Sequence, residues 1–279
     1  MRKSANKLFI NTVCLNGCTQ DKLRAAHSAG FDQVELWRQD VEATDGDCLG
    51  IKDLLQALPI ALTDYQVLLD FDGAPDSLRE EKRQEAIQML DTAVRLGATT
   101  VLTPASTHKA CVRERIEEDM RWLVQQACRR GLRIAYEGMA WSTAVNNTAE
   151  AWQLVQRIDA PNLGLVVDAF HIFARQRTVK DLNGIPMEKI FMVQLSDLVE
   201  TPSADHLADS ARHSRLLPGE GTFPLNTLIT YLEEQGYTGP IGLEVFNDTL
   251  KKQDATEVAR KAMRALKAVC YRDETQYSL

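Results

Sequence analysis

Four short apolar segments, from the middle of the chain onward, each end on an oxygen-bearing side chain. The segments are IAYE, LGLVVD, IFMVQ and IGLE, and they end on Glu137, Asp168, Gln194 and Glu244. Runs of this length, rich in Val, Ile and Leu, are typical of strands buried on both faces. Oxygen ligands suit Mg²⁺ or Mn²⁺, and three carboxylates crowded in a dry site would repel one another without a cation. The pattern predicts one divalent metal ion held by these four side chains.

A histidine follows one of these strand ends closely. His171 lies three residues past Asp168, in VVDAFHIFAR. Its ordinary pKa of about 6.5 suits proton transfer near neutrality, so it could act as a general base or acid. A histidine packed at the start of a helix would look the same in sequence. Both interpretations stay open from the residues alone.

Four further side chains are candidates for contacts with a substrate. Arg212 and Arg215 lie in ADSARHSRLLPGEGTFPL, and a guanidinium offers a planar fork to a carboxylate or phosphate. Glu35 in QVELW and Gln66 lie at predicted strand ends that face the same side of the molecule. These two could contact a substrate or serve only to cap and pack, and Arg212 could equally be an ordinary surface charge.

The elements that would position these residues alternate regularly between strand and helix. Eight strand–helix units fill the chain, and amphipathic helices end at glycines such as Gly97 and Gly131. This count predicts an α/β fold, a (β/α)8 TIM barrel, as one domain over 1–279. A doubly wound sheet is disfavoured because no GxGxxG motif is present. The longest connection, at about 197–222, is polar and falls on the mouth of the predicted barrel.

Composition narrows the partners and the compartment. The net charge of −7 argues against nucleic acid and anionic membranes, and leaves a small anionic substrate as the predicted partner. The six cysteines show no paired spacing, and the segment from Met1 to Ser4 is unlike a signal peptide. We therefore expect a cytoplasmic protein with reduced thiols and no membrane span. The sequence leaves the oligomeric state open and is compatible with a homo-oligomer.

Five motifs resemble those of a known family along nearly the whole chain. The chain resembles the xylose isomerase-like TIM barrels of the sugar phosphate isomerase/epimerase superfamily. Within that group it is most similar to the metal-dependent bacterial 3-dehydroshikimate dehydratases, which turn 3-dehydroshikimate into protocatechuate. The motifs that carry this resemblance are YEGMAW, VVDAFHIFAR, FMVQLSD, RLLPGEG and LEVFND.

The resemblance implies roles for particular residues. The implied metal ligands are Glu137, Asp168, Gln194 and Glu244. His171 is implied as an acid/base residue, and Arg215 together with Arg212 as contacts for the anionic group of the substrate. Glutamine at the seventh-strand position is informative, because sugar epimerases of the superfamily more often have histidine there.

One position departs from the pattern of the dehydratases. After the third strand they tend to have an arginine, in a stretch like FQPFRDFEG, whereas this chain has Leu69 in YQVLLDFDG. The departure implies a different substrate pose, a compensating residue such as Lys109, or a different substrate.

The main functional hypothesis is a divalent-metal-dependent lyase that dehydrates a hydroxylated carbonyl acid through a metal-stabilised enolate. His171, Glu137 and Glu244 are its predicted catalytic residues, with Mg²⁺ or Mn²⁺ as the expected ion and Co²⁺ or Zn²⁺ as alternatives. The second hypothesis is a ketose or inosose isomerase or epimerase with the same metal site, in which the two glutamates are opposed acid/base groups. An endonuclease on the same barrel would need a histidine-rich zinc cluster and a basic face, so five histidines and a negative charge disfavour it. A non-catalytic binding barrel stays open.

Overall fold

Eight parallel strands close into a barrel in the computed structural model, which describes residues 6–271. Each strand pairs in parallel with its neighbours in sequence, and the eighth pairs with the first. The strands β1 to β8 are Leu8–Asn11, Gln33–Trp37, Ala61–Gln66, Thr100–Pro104, Arg133–Glu137, Leu163–Asp168, Ile190–Leu195 and Ile241–Leu243. The predicted (β/α)8 barrel is confirmed. The predicted domain bounds of 1–279 and the segment Met1 to Ser4 extend outside the described residues.

Helices connect the strands and cover the outside of the barrel. Within residues 6–271, the helices α1 to α10 are Thr19–Ala29, Arg38–Glu42, Cys48–Ala57, Asp76–Leu96, Ile116–Cys128, Thr148–Ile158, Ala169–Phe173, Leu207–His213, Leu225–Glu234 and Ala255–Cys270. The helix α4 ends at the glycine that the sequence predicted as its end. Gly97 adopts a left-handed conformation, and its N–H donates to the carbonyls of Ala93 and Val94. No helix in this part of the chain is both long and apolar enough to cross a membrane.

The barrel interior contains its own apolar cluster, separate from the larger core that includes the helices. Phe9, Leu102, Ala135, Val166 and Met192 from five different strands belong to it, and all are buried. Side chains alternate between the two faces of a strand. The next inward side chain is therefore two residues further toward the carboxyl end. By this alternation Ala135 precedes Glu137 and Val166 precedes Asp168. The apolar cluster therefore forms the floor under the strand ends predicted to be functional.

Residue 242 of β8 must be glycine, because β8 passes very close to Phe9 of β1. A Cβ added to Gly242 would lie 2.3 Å from the Phe9 ring and from its carbonyl oxygen. We expect Gly242→Ala to lower the free energy of unfolding by about 1–3 kcal/mol, because overpacking forces the two strands apart. Urea denaturation of the purified protein measures this. Ser28→Ala, at an exposed position of α1, is the control, and an unchanged midpoint for Gly242→Ala would contradict the packing.

The predicted connection 197–222 is more ordered than its polarity indicated. It contains a 3₁₀ turn at Ala204–His206 and then α8. Leu207 and Ala211 from α8 are buried in a small apolar cluster that also contains Phe170. Burial of this cluster offsets the entropy cost of ordering the segment. Arg212 near the end of α8 and Arg215 just after it are thereby placed at the barrel mouth.

Candidate active site at the barrel mouth

The four predicted metal ligands lie at the carboxyl ends of the adjacent strands β5 to β8. Glu137 and Asp168 are the last residues of β5 and β6, Gln194 is near the end of β7, and Glu244 directly follows β8. All four are buried, with at most 6% of the residue exposed. A cavity of about 370 Å³ opens beside them, and its lining includes Glu137, Glu244 and His171. The structure brings these residues to one place, while their roles as ligands stay predictions.

Glu137, Asp168 and His171 form one compact group in the mouth. Each offers an atom suited to a metal, and the three atoms lie within 4.8 Å of one another. His171 Nε2 is 3.6 Å from both Glu137 Oε1 and Asp168 Oδ2. The helix α7 begins directly after β6, with Asp168 capping its N-terminus, and this places His171 back over the strand end.

Glu244 and Gln194 join this group through hydrogen bonds and one arginine. Gln194 Nε2 lies 3.3 Å from Glu244 Oε1, which also accepts a hydrogen bond from Asn11 Nδ2 at 3.1 Å. Arg215 Nη1 lies 2.8 Å from Asp168 Oδ2 and 3.3 Å from Glu244 Oε2. The four predicted ligands therefore belong to one connected cluster.

Two oxygens of the cluster fit a divalent cation because nothing else satisfies them. Glu137 Oε1 and Gln194 Oε1 are fully buried and accept no hydrogen bond within the described part of the chain. Burial without a partner is costly for such atoms, and both are hard oxygen donors of the kind that divalent cations bind. The residues present fit a divalent metal ion.

The pKa values of the two glutamates agree with this interpretation. Burial raises the pKa of Glu137 well above its usual range, and the charges of Glu244 and Asp168 raise it further. Burial also raises the pKa of Glu244 to about 7, against the lowering effect of Arg215. A cation would reverse this effect, because a positive charge in the same site favours the ionised form.

His171 has a defined tautomer in this arrangement. The backbone N–H of Ala140 donates to His171 Nδ1 at 3.1 Å, and burial lowers the pKa of the imidazole to about 4. The ring is therefore neutral near pH 7 and carries its hydrogen on Nε2, the atom that faces Glu137 and Asp168. This position favours donation from Nε2 over the alternative of proton abstraction by the ring.

The two predicted substrate arginines differ in what they already contact. Arg215 is buried, donates to Asp168 and to the Ala211 carbonyl, and stacks 4.5 Å from the centroid of the Phe170 ring. Arg212 is exposed, and its guanidinium lies 5.9 Å from the centroid of the Trp141 ring. Within residues 6–271, no carboxylate forms an ion pair with Arg212. Both arginines line the cavity, and among the described residues Arg212 has no carboxylate partner.

Of the other predicted contact residues, one lines the cavity and one does not. Gln66, the last residue of β3, is part of the lining. Glu35 is completely buried and lies beneath the cavity, where its Oε1 accepts a hydrogen bond from Gln194 Nε2 at 2.9 Å. Leu69 lines the cavity, whereas Lys109 is exposed and not among the lining residues. The location of Lys109 does not support the compensating role considered for it.

Sequence reasoning missed several residues of the site. Asn11 ends β1 and contacts Glu244, so the same search for polar strand ends would have found it. Trp37 and Phe246 form part of the apolar cavity wall. Asp64 is buried within β3, and neither carboxylate oxygen has a hydrogen-bond partner among the described residues. No local signal marks Asp64, because its burial follows from closure of the barrel.

Comparison with known proteins agrees with this fold. A family model described as the xylose isomerase-like TIM barrel matches residues 23–269. The chain is 34% identical over 267 residues to a 3-dehydroshikimate dehydratase of Pseudomonas aeruginosa, covering 95% of this chain and 41% of that protein. It is 25% identical to an inosose isomerase of Halalkalibacterium halodurans, over 84% of each protein.

A solved structure extends the similarity to three dimensions. A xylose isomerase-like TIM barrel/4-hydroxyphenylpyruvate dioxygenase fusion protein superposes with a TM-score of 0.89 at 30% identity. The match covers 95% of this chain and 42% of the fusion protein. The chain thus spans about two fifths of the length of the dehydratase relative and of this fusion protein. On the match over residues 23–269, the chain belongs to the xylose isomerase-like TIM barrel family.

Proposed function

We propose that this chain is a divalent-metal-dependent dehydratase that acts on 3-dehydroshikimate or a closely similar hydroxylated carbonyl acid. The observation that carries the proposal is the buried cluster of three carboxylates and one carboxamide beside a cavity lined by two arginines. The substrate class follows the dehydratase of Pseudomonas aeruginosa, the relative with 34% identity. The activity of that longer protein is transferred here as part of the proposal.

The metal ion would be held by Glu137, Asp168, Gln194 and Glu244. When bound, it supplies a Lewis acid that polarises a carbonyl oxygen and makes the neighbouring C–H more acidic. The all-oxygen set favours Mg²⁺ or Mn²⁺. The proton transfers and the binding of the substrate are assigned to side chains of this chain.

Loss of water from the substrate requires removal of a C–H proton and departure of a hydroxyl group. Glu137 lines the cavity, and it is the carboxylate that we assign to take the proton. His171 carries a hydrogen on Nε2 and would donate a hydrogen bond to the departing oxygen. The proton taken by Glu137 and the departing hydroxide together form the water that is lost. The reaction therefore needs no other reactant. Glu244, which also lines the cavity, is the second carboxylate available for proton transfer.

The carboxylate of the substrate would be bound at the outer end of the cavity by Arg212. Arg215 already forms ion pairs with Asp168 and Glu244 inside the protein. Arg212 has no carboxylate partner among the described residues, and it lies on the cavity wall next to Trp141. It thereby offers the compensating cation that Leu69 does not.

Replacing Arg212 should affect binding of an anionic substrate more than turnover. We expect Arg212→Ala to raise KM by about 10- to 100-fold with kcat changed only a few-fold, because a charged hydrogen bond contributes about 1.5–3 kcal/mol. Steady-state kinetics of Arg212→Ala, Arg212→Lys and the exposed control Arg24→Ala measure this. An unchanged KM for Arg212→Ala would show that the anion binds elsewhere.

One assay tests the proposed reaction directly. The metal-loaded protein is mixed with 3-dehydroshikimate, and the ultraviolet absorbance of an aromatic product is followed. The second candidate function, isomerisation or epimerisation, is favoured by the inosose isomerase relative at 25% identity. Inososes and ketoses are therefore tested in parallel. Turnover of these without an aromatic product would support the second candidate, and failure of every substrate with the metal-loaded protein would contradict both.

A further inference from the structure

Glu35 lies below the cavity and accepts a hydrogen bond from one of the predicted ligands, Gln194. It is in the middle of β2, completely buried, and directed into the barrel interior. Its Oε1 accepts a hydrogen bond from Gln194 Nε2 at 2.9 Å, across 159 residues of sequence. Glu35 is absent from the cavity lining, so a substrate in that cavity does not reach it.

The amide of Gln194 has two chemically different ends, and only one of them can bind a cation. Oε1 is an acceptor, whereas Nε2 is a donor that would repel a metal ion. In the structure both acceptors near this amide, Glu35 Oε1 and Glu244 Oε1, lie on the Nε2 side. Oε1 is left buried and without a partner among the described residues.

We propose that Glu35 is a positioning residue, which holds the Gln194 amide so that Oε1 faces the metal ion. The inference rests on the proposed metal site and assigns to Glu35 a role different from the predicted contact with substrate. Glu244 alone cannot set this orientation, because its distance from Nε2 is longer at 3.3 Å and it is itself a predicted ligand. Glu35 is free of that competing role. A hydrogen-bonded carboxylate behind a ligand commonly fixes the orientation of that ligand.

A matched pair of substitutions separates the hydrogen bond from the ionisable carboxyl group. Glu35→Met keeps a side chain of similar length but lacks a strong acceptor. Glu35→Gln also removes the carboxyl group, yet it retains an oxygen that can accept from Gln194 Nε2. The new NH₂ group can donate to Asp64, which lies opposite Glu35 in the pairing of β2 with β3. Both variants lose the ionisable group, and only Glu35→Met loses the acceptor.

The readout is the affinity for Mn²⁺, measured by calorimetric titration of the metal-free protein. We expect one Mn²⁺ per wild-type chain, a dissociation constant about 10- to 100-fold higher for Glu35→Met, and a value close to wild type for Glu35→Gln. Thermal unfolding of the metal-free variants provides the folding control. If Glu35→Met does not fold, Glu35→Leu, which is smaller and equally without an acceptor, takes its place.

The possible results distinguish this inference from the proposed function. Equal affinities for wild type, Glu35→Met and Glu35→Gln would overturn the positioning role and leave the metal site intact. Equal losses in both variants would also overturn it, since the ionisable carboxyl group would then matter and not the acceptor. A wild-type protein that binds no Mn²⁺ would instead contradict the proposed metal site itself.

Discussion

Glu244→Ala should abolish metal-dependent turnover, with kcat/KM lowered by about 10³-fold or more. The substitution removes a predicted ligand and leaves Asn11 and Gln194 without their shared acceptor. A catalytic metal contributes several kcal/mol of transition-state stabilisation, and each 1.36 kcal/mol corresponds to a factor of ten in rate. Kinetics with the substrate of the aromatic-product assay, combined with Mn²⁺ titration, measure the loss.

Chelator treatment of the wild type provides the matched comparison. We expect removal of the metal to stop turnover, and added Mn²⁺ or Mg²⁺ to restore it in the wild type. The same addition should not rescue Glu244→Ala, because the ligand itself is missing. Glu234→Ala, at an exposed position near the end of α9, should behave like wild type throughout. Full activity in Glu244→Ala would remove this residue from the active site.

Arg215→Met should destabilise the metal-free protein by about 3–5 kcal/mol. Arg215 Nη1 lies between Asp168 and Glu244, and all three side chains are buried. Removing one partner of a buried ion pair leaves an uncompensated charge, which is the costly outcome for such pairs. Urea denaturation in the presence of a chelator gives the free energy of unfolding. Arg215→Lys should recover only part of it, because lysine lacks the planar fork that reaches two carboxylates and the Ala211 carbonyl.

The same measurement with Mn²⁺ tests whether arginine and metal act on the same charges. A bound cation neutralises Asp168 and Glu244, and a ligand that binds only the folded state adds to its stability. We therefore expect saturating Mn²⁺ to reduce the loss caused by Arg215→Met. Arg212→Ala should leave the free energy of unfolding unchanged under both conditions, since Arg212 is exposed. A loss from Arg215→Met that is identical with and without Mn²⁺ would place the cation away from these carboxylates.

These two predictions concern different components of one charge balance. The mouth contains Glu137, Asp168 and Glu244, and the charge of Asp168 raises the pKa values of both glutamates. Arg215 supplies one fixed positive charge from α8's side of the mouth, and the proposed metal ion would supply the rest. This division explains why Arg215 points inward while Arg212 stays free on the cavity wall. Binding of the substrate anion is thereby separated from neutralisation of the carboxylates.

The convergence of Glu137, Asp168, Gln194 and Glu244 could be predicted from local sequence. Each follows a short apolar run, and consecutive parallel strands in a closed barrel deliver their carboxyl ends to the same mouth. Strand identity and strand order therefore suffice to bring these four residues together. The same rule, applied to β1, would also have included Asn11.

The hydrogen-bond and ion-pair partners of the side chains in the mouth were decided by the tertiary structure alone. Arg215 meets Asp168 across 47 residues, and Glu35 meets Gln194 across 159. The polar connection 197–222 gave little local sign of α8, whose apolar residues are buried only because Phe170 lies below them. Sequence periodicity reports which side of an element faces the core, but it carries no information about which distant side chain completes a hydrogen bond. Closure of the barrel decided those pairings, and with them which arginine is left free for a substrate.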